Sequence, residues 1–114
     1  MRTTDIKLTV TLDADNVPTK ITWDATDKPA DAVAATKSFS LGIWEAEQNN
    51  TLRIDLWTVD MMMGEMRRFF LQNLAGMADT LKRATGDETT YNEVRALCDK
   101  LADRYMEEEK QGLA

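Results

Sequence analysis

Two spacings of apolar residues divide the chain. Up to Trp57 they alternate with polar ones, and from Met61 onward they recur at helical intervals. Ile6, Leu8, Val10 and Leu12 fall on one side of an extended segment, with Lys7, Thr9 and Thr11 on the other. Further on, Met62, Met66, Phe69, Phe70, Leu74, Met77 and Leu81 trace one stripe of a helix. A period of two followed by a period of 3.6 predicts strands first and helices after, an α+β fold. The expected architecture is an N-terminal antiparallel sheet of about four strands, with two C-terminal helices packed on one face.

The strand-rich part covers residues 1–58. Residues 4–12 and 17–24 read as a hairpin, turned by Asp13, Ala14, Asp15 and Asn16, whose short polar side chains tolerate left-handed backbone. In the second strand Val17, Ile21 and Trp23 share a face opposite Lys20, Thr22 and Asp24. Pro18 lacks an N–H and belongs at a strand start or an edge. Residues 25–37 read as a loop, with a short helical turn at 31–36. In residues 38–44 Phe39, Leu41 and Ile43 alternate as in a strand, while Phe39, Ile43 and Ala46 also fit a helix face. The strand is favoured because a turn at Gln48, Asn49 and Asn50 leads straight into another strand, 51–58. There Leu52, Ile54 and Leu56 point inward, and Arg53, Asp55 and Trp57 share the opposite face.

The two-helix part covers residues 59–111. A helix over 61–84 is expected, capped by Thr58 or Asp60 and stopped by Gly86. Gly64 and Gly76 either weaken it, by about 1 kcal/mol each relative to alanine, or permit a close backbone approach. Lys82 and Arg83 complement the dipole at its C-terminal end. A second helix over 88–110 carries Tyr91, Val94, Leu97, Cys98, Leu101 and Tyr105 on its apolar face. With no repeat or low-complexity linker, residues 1–114 read as one domain.

Charge narrows the function classes. The chain has 14 basic and 20 acidic residues, net −6, and both halves are acidic. Without a basic stripe, nucleic-acid binding and docking on anionic membranes are disfavoured. No apolar run approaches the ~20 residues needed to span a bilayer, and the N-terminus lacks the apolar core of a signal peptide. One cysteine, Cys98, precludes an intrachain disulfide and suits a reducing compartment. The expectation is a soluble cytoplasmic protein. There is no histidine, which excludes Ser-His and Cys-His nucleophiles and a zinc site of the usual N/S type within one chain. No catalytic, cofactor-binding or metal-binding residues are expected.

Four groupings merit weighing. Trp23, Asp24, Ala25, Thr26, Asp27, Lys28 and Pro29 form the densest polar cluster beside an aromatic. Asp24 and Asp27 can make a carboxylate pair tuned by Lys28, but turn chemistry accounts for the same residues and is preferred. Trp23, Trp44 and Trp57 lie near strand ends and suit either a rim over the core or an interface. Trp57 is out of phase with Leu52, Ile54 and Leu56, so its face is either covered or adhesive. Met61, Met62 and Met63 encircle a helix, so at least one must be exposed or in an interface. Glu45 with Glu47, and Glu107 to Glu109, lack the spacing of a calcium loop and read as solvated charge.

Three blocks carry a resemblance. Residues 23–29 (WDATDKP), 51–58 (TLRIDLWT), and 76–81 (GMADTL) with 84–86 (ATG) resemble the gliding-motility protein GldC family. The likeness runs from the first strand to the second helix; the Glu-rich tail departs from it. It implies a small cytoplasmic protein of the Bacteroidetes, associated with gliding machinery and linked to its secretion and motor components. It implies no catalytic activity, no cofactor and no established binding residues.

The reading that follows is a non-enzymatic protein-interaction module supporting gliding motility and its secretion machinery. Its candidate contact surface is Arg53, Asp55 and Trp57, joined by Trp23, Asp24, Asp27 and Lys28. The same face suits a homodimer. The alternative is a small-molecule-binding domain or minor enzyme using the Asp24/Asp27/Lys28 loop.

Overall fold

The computed structural model describes residues 1–112, in which five strands precede two helices. The fold is α+β. It divides into two compact units, Met1–Met61 and Met62–Ala114.

The first unit holds two antiparallel sheets. β1 (Ile6–Leu12) pairs with β2 (Pro18–Ala25), and β2 with the short β3 (Ala35–Thr36). β4 (Ser38–Glu45) and β5 (Asn50–Trp57) form a separate two-stranded sheet. In the first hairpin Leu8 lies opposite Trp23 and Val10 opposite Ile21, so the predicted apolar sets share a face. Ile21 is the anchor of this unit, 1% exposed. The Asp13 carboxylate accepts from the amides of Asp15 and Val17, which frees Asn16 to adopt φ 61°. Register slips between Thr11 and Leu12, where Pro18 starts β2.

The expected helical turn at 31–36 is not there. Ala35 and Thr36 pair with Thr22 and Ile21, and the Trp23 amide donates to Ala34 O. The free edge of β2 captures this stretch because its outward backbone groups need partners. Residues 38–44 are a strand, as favoured. Ser38 lies opposite Trp57 and Glu45 opposite Asn50, in unbroken register. Asn49, at φ 52°, closes the turn.

The second unit is an antiparallel helix pair. α1 (Met63–Thr85) begins two residues later than expected, and neither Thr58 nor Asp60 caps it. The buried Thr58 gives its amide to Lys37 O and its hydroxyl to Asp60. That hydroxyl holds the Asp60 carboxyl below its ordinary range. Met62 occupies the cap position, and Glu65 accepts from its amide at 3.1 Å. Gly86 ends α1 in left-handed conformation, φ 78°, its N–H bonded to Lys82 O. Asp87 starts α2 (Glu88–Lys110) by accepting from the Thr90 amide and hydroxyl, which lowers its pKa.

The seam between the helices is offset from the predicted stripe of α1. Ala78 and Cys98 are buried, whereas Phe70, Met77 and Leu81 are exposed. Ala78 is in phase with Arg67, Leu71 and Leu74, and that three-four spacing is the one that faces a partner helix. Arg67 meets Glu108 at 2.6 Å and stacks on Tyr105, and Lys82 lies over Tyr91. Met62 and Met63 are exposed, meeting the expectation for that triplet.

Candidate protein-contact face on the second hairpin

Register and the period of two decide which side chains share a face of the β4–β5 hairpin. Trp44 lies opposite Thr51, Gly42 opposite Arg53, Ser40 opposite Asp55 and Ser38 opposite Trp57. All eight therefore project to one side. The Thr58 amide bonds to Lys37 O, so residues of even number on β5 turn their backbone groups toward β4. Ser40/Asp55 and Gly42/Arg53 are then non-hydrogen-bonded pairs, where side chains approach most closely.

A polar network follows. Arg53 donates from Nε to Asp55 Oδ2 at 3.1 Å and from Nη2 to Oδ1 at 3.0 Å. The same Nη2 reaches Ser40 Oγ at 2.6 Å, and the Ser40 hydroxyl donates to Asp55 Oδ1. Hydrogen bonds from Arg53, then from Ser40, hold the Asp55 carboxyl below its ordinary range, and Asp55 raises the Arg53 pKa in turn. At Gly42 a Cβ would sit 3.6 Å from Arg53 Nη1, an ordinary van der Waals contact.

Tryptophans flank this network. Trp44 is 61% and Trp57 55% exposed, about 20 Å apart along the strands at ~3.3 Å per residue. Beside Trp57, an apolar notch of about 300 Å³ is lined by Val17, Pro18, Leu56, Trp57 and Val59. The opposite face is less covered than expected. Leu56 is half-buried, but Leu52 and Ile54 remain 51% and 49% exposed. Both faces of the hairpin therefore expose large apolar side chains, and one of them surrounds a fixed polar centre. That combination suits partner recognition.

The loop carrying Trp23, Asp24, Asp27 and Lys28 is arranged differently. Asp24 follows Trp23 in β2 and so points to the other face; its carboxylate accepts from the Ala25 amide. Asp27 is held by Arg2 through two 3.2 Å bonds. Lys28 lies over the Trp23 ring, 5.2 Å from its centroid, and its Nζ reaches Trp23 O. The Trp23 indole donates to Val33 O. The structure thus joins Trp23 to Lys28 and gives Asp24 and Asp27 different partners. A pocket here, about 230 Å³, is lined by Asp27 and Lys28 but not by Asp24, and it is smaller than most small-molecule sites.

Among the described residues no three His, Cys, Asp or Glu side chains are grouped to hold a metal ion, and no helix is long and apolar enough to cross a membrane. Sequence reasoning did not single out Ser40. The signal was present in the strand register, since the residue facing Asp55 must touch it.

The profile described as "Gliding motility-associated protein GldC-like" matches residues 18–107. The chain belongs to the GldC-like family. That match takes in β2 and the β4–β5 hairpin, and it continues through α1 into α2. No curated protein and no solved structure matches. GldC-like membership gives the chain a gliding-motility-associated role.

Proposed function

We propose that this GldC-like chain is a non-enzymatic, cytoplasmic interaction module that supports gliding motility and its associated secretion machinery through the β4–β5 hairpin. The observation that carries the reading is the face on which Trp44 and Trp57 flank the fixed Ser40–Arg53–Asp55 network. Large aromatic side chains that pay little entropy on burial serve well as anchors in a protein interface. An arginine already held by a carboxylate presents its remaining donors in a defined direction. Trp23, stacked against Lys28, adds a second aromatic surface in the same unit.

What favours this reading over acid–base work by Asp24 and Asp27 is that the Asp24 carboxylate accepts from the Ala25 amide and Asp27 is held by Arg2.

A photo-crosslinking residue placed at position 57 tests the reading in gliding cells. The expected result is a covalent adduct with a component of the motility or secretion machinery, and none from position 80 on α1. Equal labelling from both positions, or no adduct from 57, overturns it.

A further inference from the structure

We propose that β5 pairs with β5 of a second copy, antiparallel and centred on Ile54, to join the two hairpins into one four-stranded sheet. The proposal builds on the reading of this hairpin as an association element, and it assigns one of its edges.

The backbone supplies the first argument. Even-numbered residues of β5 are committed to β4, so Thr51, Arg53, Asp55 and Trp57 turn their N–H and C=O groups to the outer edge. Among the described residues no backbone partner meets them there. The next outward amide, Val59, is already taken by Pro18 O at 3.0 Å. At the other end the strand stops at Asn50. The window without backbone hydrogen-bond partners is therefore 51–57, with Val17 and Pro18 beside its Trp57 end, and its midpoint is Ile54.

Charge selects the same register. An antiparallel pair related by a two-fold axis must centre on one residue or between two, and the outward groups must oppose each other. Centring on Arg53 sets Arg53 against itself, and centring on Asp55 does the same for the carboxylate. Like charges directly opposite are destabilising. Centring on Ile54 places Arg53 opposite Asp55 of the other copy, and Asp55 opposite its Arg53. Leu52 then faces Leu56, and Thr51 faces Trp57. Each outward residue exchanges hydrogen bonds, and Ile54 meets its own copy at a non-hydrogen-bonded site.

Natural edges that avoid such pairing carry proline, a bulge or an excess of like charge. Residues 51–57 have no proline and no bulge, and their two charges cancel. A lone two-stranded sheet is marginal in water. Doubling it brings the half-exposed Leu52 and Ile54 into one apolar face spanning both copies.

The test is the solution mass over a dilution series, with four variants whose folding is checked by circular dichroism. The wild type is expected to dimerise. Arg53→Glu should weaken the dimer about tenfold, since both symmetry-related pairs become repulsive. Arg53→Asp combined with Asp55→Arg should restore it. In a Cys98→Ala background, Ile54→Cys should form a disulfide dimer under mild oxidation, because non-hydrogen-bonded partners lie within disulfide reach. Leu52→Cys should not, being offset from its own copy. A wild type that stays monomeric, a dimer indifferent to Arg53→Glu, or cross-linking through position 52 in place of 54 overturns the proposal. Loss of the dimer with the position-57 adduct intact ends this inference alone. An intact dimer lacking that adduct ends only the reading of a machinery partner.

Discussion

Ser40 and Asp55 face each other across β4 and β5 at a site where the backbones exchange no hydrogen bond, and the Ser40 hydroxyl donates to the Asp55 carboxylate. With Arg53 two residues away on the same face, this carboxylate accepts from two side chains while remaining solvent-accessible. It is therefore a fixed surface acceptor.

The pH behaviour of Asp55 follows. Arg53 first, then Ser40, favours its charged form, so its folded pKa lies below the ordinary 3.8. A depressed folded pKa contributes stability that is fully present above the unfolded value and is lost as pH falls through the folded one. The carboxyl carbon resonance of Asp55 should therefore titrate below that of an aspartate in the denatured chain, and Arg53→Gln or Ser40→Ala should move its midpoint upward. A wild-type midpoint at or above the denatured value contradicts the network.

Ile21 and Ile6 should respond very differently to truncation. Ile21 is fully buried, so Ile21→Ala should cost about 2–5 kcal/mol in urea unfolding. Ile6 is exposed at the start of β1, and Ile6→Ala should change stability by about 0.5 kcal/mol or less. Equal costs would mean that Ile21 does not anchor the first unit.

Gly76 inside α1 and Gly86 at its end should separate by sign. Gly86 holds φ 78°, so Gly86→Ala should destabilise by about 1–2 kcal/mol. Gly76 lies inside the helix, and a Cβ there meets nothing within 4 Å. Gly76→Ala should therefore stabilise by about 0.8–1 kcal/mol. Thermal unfolding of both variants checks the pair, and a destabilised Gly76→Ala would indicate a close approach to that helix surface.

Much of the strand and helix order was legible because apolar period is a direct record of which side chains must leave water. β1, β2, β5 and the second helix carry clean periods, and Gly86 marks a helix end that few other residues tolerate. β3 was not legible. Two residues carry no period, and Ala35–Thr36 becomes a strand only because β2 offers an open edge. The stripe of α1 misled because Phe70 and Met77 are more apolar than Ala78, yet the small side chain occupies the seam.

At the site, Arg53, Asp55 and Trp57 were placed on one face by the period of two, and the register confirms it. Ser40 required the pairing between strands, which no local pattern encodes. In the 23–29 loop the period of two already set Trp23 and Asp24 on opposite faces, whereas no local pattern marks the pairing of Asp27 with Arg2, 25 residues away. Adjacent strand residues point to opposite faces, so Asp24 departs from Trp23, and Asp27 is drawn to Arg2.

The β4–β5 face is the proposed contact surface. Its most direct test is gliding by cells whose only copy carries Trp44→Ser with Trp57→Ser, compared with cells carrying Asp24→Asn with Asp27→Asn. Both proteins must be present at wild-type level. The account predicts that the tryptophan pair abolishes gliding and the aspartate pair leaves it intact. Normal gliding without the tryptophans, or its loss with the two asparagines, would contradict the account.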